Sequence, residues 1–198
     1  MQTKNKRRMS TERMVLGALM TALVVVFQSL ATYTAFFGPF STAIGLIPIV
    51  IGAVLCGPII GAWLGLVFGA VVLITGGASL FIPFSLGGTI VTVLGKGMAC
   101  GFCAGLINKL LAPLSKTVAS VAAAVTGPIV NTGIFLLGSW IFFLPHAAAI
   151  AEKAGSDKSG FGVFIGFAMA NFLLEIGMNV VLTPVFHTVY RVADKKRR

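Results

Sequence analysis

Two charged side chains, Lys96 and Glu175, stand inside otherwise apolar stretches of this chain. On insertion scales a Lys or Asp facing lipid costs roughly 2.5–3.5 kcal/mol, so each of these charges needs a partner or a wet cavity. Polar residues extend the pattern on both sides. Asn171, Glu175 and Asn179 follow at intervals of four, which places them on one helical stripe. Thr89 and Thr92 share a helical face with Lys96, and Asn131 and Thr132 come just after Gly127-Pro128. Three segments therefore each offer polar groups near the same depth. A cavity lined by Lys96, Thr92, Asn131, Asn171, Glu175 and Asn179 suits a small polar solute with an anionic group, for which Lys96 is the counter-ion. Two other readings of the same residues stay open. Lys96 and Glu175 could simply pair, or Glu175 could serve as the proton site of a self-sufficient secondary carrier, although 198 residues without an evident repeat is small for one.

Other chemistries lack their residues. Gly95-Lys96-Gly97 resembles the end of a phosphate loop, but Ile90 stands where that loop needs Gly, and Gly97 where it needs Ser or Thr. HExxH and GxSxG are absent, so no enzyme is expected. Cys56, Cys100 and Cys103 read as small packing residues, with His146 and His187 too far along the chain to complete a metal site beside Cys100 and Cys103. Neither a metal nor a cofactor is expected.

The elements that must hold these residues are membrane helices. The chain is 57% hydrophobic and 10% charged, with a mean hydropathy of +1.00. Soluble domains are about 25% charged, so lipid must stand in for part of the water. The net charge of +10 gathers at the ends: Lys4, Lys6, Arg7, Arg8 and Arg13 open the chain, and Arg191, Lys195, Lys196, Arg197 and Arg198 close it. That is the flanking pattern of cytoplasmic tails rather than the basic face of a nucleic-acid binder.

A helix needs about 20 apolar residues to cross ~30 Å of hydrocarbon. The expected spans are 14–33, 43–56, 58–75, 84–110, 118–144 and 161–190, with Gly57-Pro58 dividing the long uncharged run. Segment 14–33 is long enough to span, unlike the ~7–15 apolar residues of a signal peptide. Six spans put both basic tails, 1–13 and 191–198, together with Lys109 and Lys116, in the cytoplasm. The loop 145–160 then lies outside, where Glu152, Lys153, Asp157 and Lys158 sum to zero. The fold expected is an all-α membrane bundle of six helices forming one domain over 1–198, in a bacterial-type cell membrane.

Small residues at four-residue spacing (Gly57, Gly61, Gly65, Gly69; Gly97, Gly101, Gly105; Gly162, Gly166, Ala170) predict close helix packing in spans 3, 4 and 6. Phe36, Phe37, Phe40, Phe81, Phe84, Trp140, Phe142 and Phe143 suit an interfacial belt, or a lid over a solute.

Several stretches resemble a known family. Ile47-Pro48-Ile49-Val50-Ile51-Gly52-Ala53 runs on through Cys56-Gly57-Pro58-Ile59-Ile60-Gly61-Ala62 to Gly65-Leu66-Val67-Phe68-Gly69. Val130-Asn131-Thr132, then Asn171 with Glu175, then Val181-Leu182-Thr183-Pro184 add to this, as does Ala18-Leu19-Met20-Thr21-Ala22, similar to an AxxxA motif. Over nearly its whole length the chain resembles the substrate-binding S components of energy-coupling factor (ECF) vitamin transporters. The resemblance implies a transmembrane coupling (T) component docking through Ala18 and Ala22, two ABC ATPases as the power source, and a water-soluble vitamin entering from outside. The branch it most resembles includes pantothenate carriers, where the position matching Lys96 is often Arg. Lys keeps the charge without the bidentate geometry, so riboflavin and folate stay open beside pantothenate.

Overall fold

The computed structural model describes residues 11–34 and 43–181. The first ten residues, the basic C-terminal tail, the last part of the sixth expected span and the aromatic segment with Phe36, Phe37 and Phe40 lie outside the described residues. Among those described, the chain is helical and contains no strand. Its elements are α1 (Thr11–Thr34), α2 (Ala43–Cys56), α3 (Pro58–Ile74), α4 (Leu86–Leu111), α5 (Lys116–Gly138), α6 (Ala147–Lys153) and α7 (Gly162–Val181). Stretches Arg13–Tyr33, Leu86–Leu111, Lys116–Lys153 and Gly162–Asn179 are long and apolar enough to cross a membrane, while α2 and α3 are shorter apolar helices.

The short length of α2 follows from its position. Fourteen residues reach only about 21 Å at 1.5 Å per residue. However, α2 packs against α1, α3, α4, α5 and α7, and Leu46, Ile49, Val50 and Ala53 are fully buried. A helix that is apolar all round and surrounded by protein need not match the thickness of the bilayer. It ends at Gly57, whose φ of 96° is open to glycine at little cost, and Pro58 starts α3. Pro58 has no N–H to give to the carbonyl of Val54 four residues back. The amide Nδ2 of Asn108 on α4 supplies that bond instead, at 3.2 Å in a buried position.

α3 and α4 form the tightest pair, and glycine is the reason. A Cβ on Gly61 would overlap the Gly101 carbonyl, and one on Gly65 would overlap that of Gly97; the reverse substitutions would clash in the same way. Gly69 lies against Val93, and Gly105 against Pro58. The two backbones thus run in near contact over about three turns, as small-residue stripes allow in lipid, where dispersion must replace hydrophobic driving force. The same expectation fails for α7. Gly162 faces open space and Gly166 lies beside the Lys158 side chain rather than another helix backbone.

The segment after α5 is more structured than a plain loop. α5 widens into a π-helical turn (Ser139–Phe143), tightens into a 3₁₀ turn (Leu144–His146), then continues as α6. Ala147, Ile150 and Ala151 are buried with Phe143, Val163 and Phe164, so a short alanine-rich helix forms because its i, i+3, i+4 face has an aromatic cluster to cover.

Candidate functional site

α4, α5 and α7 bring the two intramembrane charges to the same region, each held by a neighbour on α5. The Lys96 ammonium lies 5.6 Å from the centroid of the Phe135 ring, within the range of a cation–π contact. Lys96 itself is half-buried. Glu175 is 1% exposed, and the Asn131 amide nitrogen donates to both of its carboxylate oxygens, at 3.0 and 3.1 Å. Asn131 and Phe135 are four residues apart on α5 and so share a face. The partners of the two charges, Phe135 and Asn131, stand one turn apart on α5, yet among the described residues no direct ion pair joins Lys96 to Glu175.

The remaining predicted residues take different places. Asn179 is buried and donates to the backbone carbonyl of Glu175, one turn back on its own helix. Asn171 is half-buried, one turn from Glu175 towards the start of α7. Thr92 is 4% exposed and sits one turn from Lys96, with its hydroxyl against Gly138, where any Cβ would overlap it. Thr89, on the same face, gives its hydroxyl to the Ser85 carbonyl at 2.7 Å. Ala18 and Ala22 lie on the exposed face of α1 with Val15, Leu19, Val26 and Leu30, on a helix that packs against α2 and α3.

Several buried polar atoms here have no hydrogen-bond partner among the described residues: Thr92 Oγ1, Asn131 Oδ1 and Ser139 Oγ. An unmet buried polar group costs about 1–3 kcal/mol.

Phe135 is the site residue that sequence reasoning missed. Its signal was present in the spacing, four residues from Asn131 on a face that has to meet α4. The ring also joins an aromatic chain towards the loop after α3. Phe81 packs edge-on to Phe135 at 5.8 Å and meets Phe143 at 5.1 Å. Beyond them Phe84 packs on His146 at 5.6 Å, under the Lys153 ammonium at 5.9 Å. Trp140, by contrast, is 62% exposed on the outside of the bundle, where a belt residue belongs. A second missed residue is Gln28 on α1, 2% exposed, which lies against Gly45 and donates to Thr32; Thr32 in turn bonds Thr75 at 3.0 Å.

The described helices thus bring together a cation over an aromatic ring and a buried carboxylate held by an amide. The family of ECF transporter substrate-specific components matches residues 12–186. The chain belongs to this family. No curated protein and no solved structure matches it. As an S component it is a multi-pass membrane protein and the substrate-binding subunit of an ECF transporter, a transporter subunit rather than an enzyme. Membership also implies association with a T component and ATPases, and a small-molecule substrate.

Proposed function

We propose that this S component captures a water-soluble vitamin bearing an anionic group, pantothenate being favoured and folate next, ahead of riboflavin, which carries no such group, and that Lys96 is the counter-ion. The observation that carries this reading is the Lys96 ammonium over Phe135, one turn along α5 from the Asn131 that holds Glu175 and, among the described residues, in no ion pair with that carboxylate. A lysine whose only role was structural would be expected to close on the nearest carboxylate, since an uncompensated charge in lipid is costly. Here Asn131 donates to Glu175, and the ammonium lies on a ring face, which holds a cation while leaving its hydrogen-bond donors for another acceptor.

In this reading Asn131, Asn171 and Glu175 fix the solute's orientation, and Thr92 and Asn179 support the same wall. The chain is one domain over 1–198 with six spans, α2 and α3 being short ones, and both termini in the cytoplasm of a bacterial-type cell. The exposed face of α1, with Ala18 and Ala22, docks the T component, and two ABC ATPases drive release. Solute enters from the aromatic end.

The test is titration of pantothenate, riboflavin and folate into the purified protein and into Lys96→Ala. Removing one partner of a desolvated charge pair costs 2–5 kcal/mol or more, so at least about 30-fold weaker binding is expected in the variant. Unchanged affinity with an intact fold would remove Lys96 from the site.

A further inference from the structure

The bond between Asn131 and Glu175 has a direction, and that direction sets what the site can recognise. A carboxylate only accepts hydrogen bonds, whereas a side-chain amide has one donating end and one accepting end. The Asn131 nitrogen is committed to both oxygens of Glu175. Its oxygen, Oδ1, is therefore turned away from Glu175. That oxygen is buried, in a residue 5% exposed, and has no partner among the described residues. Asn131 shares its helical face with Phe135, one turn on, and Phe135 carries the Lys96 ammonium. One turn of helix is about 5.4 Å. The same face of α5 thus carries a fixed acceptor and, one turn on, the ring that holds the cation.

We infer that Glu175 is a positioning residue that locks the Asn131 amide with Oδ1 towards the solute, so that the site selects solutes carrying a hydroxyl or amide N–H donor beside their anionic group. Without Glu175 the amide could turn either way and offer a donor as readily as an acceptor. This rests on the reading of Lys96 as the solute's counter-ion. A solute with an acceptor in place of that donor would set two oxygens against each other and leave both unmet, the kind of mismatch by which polar sites reject analogues most strongly.

Pantothenate, a carboxylate with two hydroxyls and an amide N–H, is a suitable probe. Its amide-N-methylated and hydroxyl-O-methylated derivatives remove the donors one at a time. Titrating these into the full-length protein gives a selectivity ratio of parent to methylated solute. The wild type should prefer the parent at least about tenfold over one of the derivatives. In Glu175→Gln, whose amide can both give and take, that ratio should fall to about threefold or less. In the double variant Asn131→Asp/Glu175→Gln the net charge is unchanged and residue 131 can only accept, so the ratio should return to the wild-type value. The double variant also keeps the test decisive if the single one fails to fold.

A merely structural Glu175 would lower affinity for all the solutes together and leave the ratio where it was; that result, or a wild-type ratio near one, would overturn the inference. A wild type that binds riboflavin, which has no anionic group, and refuses pantothenate would also overturn it while leaving vitamin capture in place. Binding of no vitamin would remove both.

Discussion

Asn131 and Glu175 meet through a single amide nitrogen that donates to both carboxylate oxygens, at 3.0 and 3.1 Å. The contact ties α5 to α7 at a point where neither helix could otherwise bury a polar group cheaply. It also gives the buried carboxylate a hydrogen-bond donor other than Lys96, whose ammonium lies over Phe135 instead. Asn131→Leu should therefore do two things: weaken solute binding and destabilise the bundle. Leaving a buried carboxylate without its donor costs about 1–3 kcal/mol or more. Thermal unfolding in detergent reads the second effect, and an unchanged midpoint would mean the bond contributes nothing to stability.

Phe135 should matter to the solute through Lys96. Phe135→Leu keeps an apolar side chain of similar reach but removes the ring quadrupole. A cation–π contact is worth about 0.5–2 kcal/mol, so the affinity for an anionic solute should fall by roughly 2- to 30-fold. Calorimetric titration measures this directly. Equal affinity in the variant would show that the ring does not hold the ammonium in place.

The paired glycines of α3 and α4 give a prediction about folding rather than binding. Gly65→Val must force the backbones apart, because even a Cβ there overlaps the Gly97 carbonyl. Overpacking of this kind typically costs 1–3 kcal/mol. Gly133→Ala on α5 is the control, since nothing lies within 4 Å of its added Cβ and alanine is the better helix former. The first should lower the unfolding midpoint and the second should hold or raise it. Two equal midpoints would contradict the close packing.

The AxxxA face on α1 should separate capture from transport. Ala18→Trp and Ala22→Trp both add bulk on an exposed surface, so solute binding to the isolated S component should stay within about twofold. Uptake in cells carrying the T component and ATPases should drop sharply. Full uptake would place the docking surface elsewhere. The same cells test the rival carrier reading: uptake stopped by a protonophore but indifferent to the ATPases would assign Glu175 to proton coupling.

Much of the helical architecture is legible in the sequence, for identifiable reasons. Gly57-Pro58 marks the division between α2 and α3 because proline lacks the donor and glycine takes the positive φ. The glycine periods on α3 and α4 are explicit, since only glycine admits a backbone that close. The α7 stripe looked the same on paper, but whether a small residue faces a helix or open space depends on which neighbour arrives, and spacing does not say. α6 was hidden because seven residues carry too little periodicity to be told from a loop; it forms only where Phe143 and Phe164 give it something to cover. In the site, Lys96, Asn131 and Glu175 announced themselves as polar groups in apolar helices. Phe135 did not, because an aromatic in a membrane helix is ordinary until a cation sits over it. The Asn131–Glu175 bond and the repair of the Val54 carbonyl by Asn108 join residues 44 and 54 positions apart, a relationship that only the packing of helices creates.

The most direct test of the central claim is mass spectrometry of small molecules released from the gently purified, detergent-solubilised protein, taken from cells grown in rich medium. A water-soluble vitamin with an anionic group, near one per protein molecule and lost in Lys96→Ala, is the predicted result. A stoichiometric solute with no anionic group, or none at all even with vitamins added before solubilisation, would contradict it.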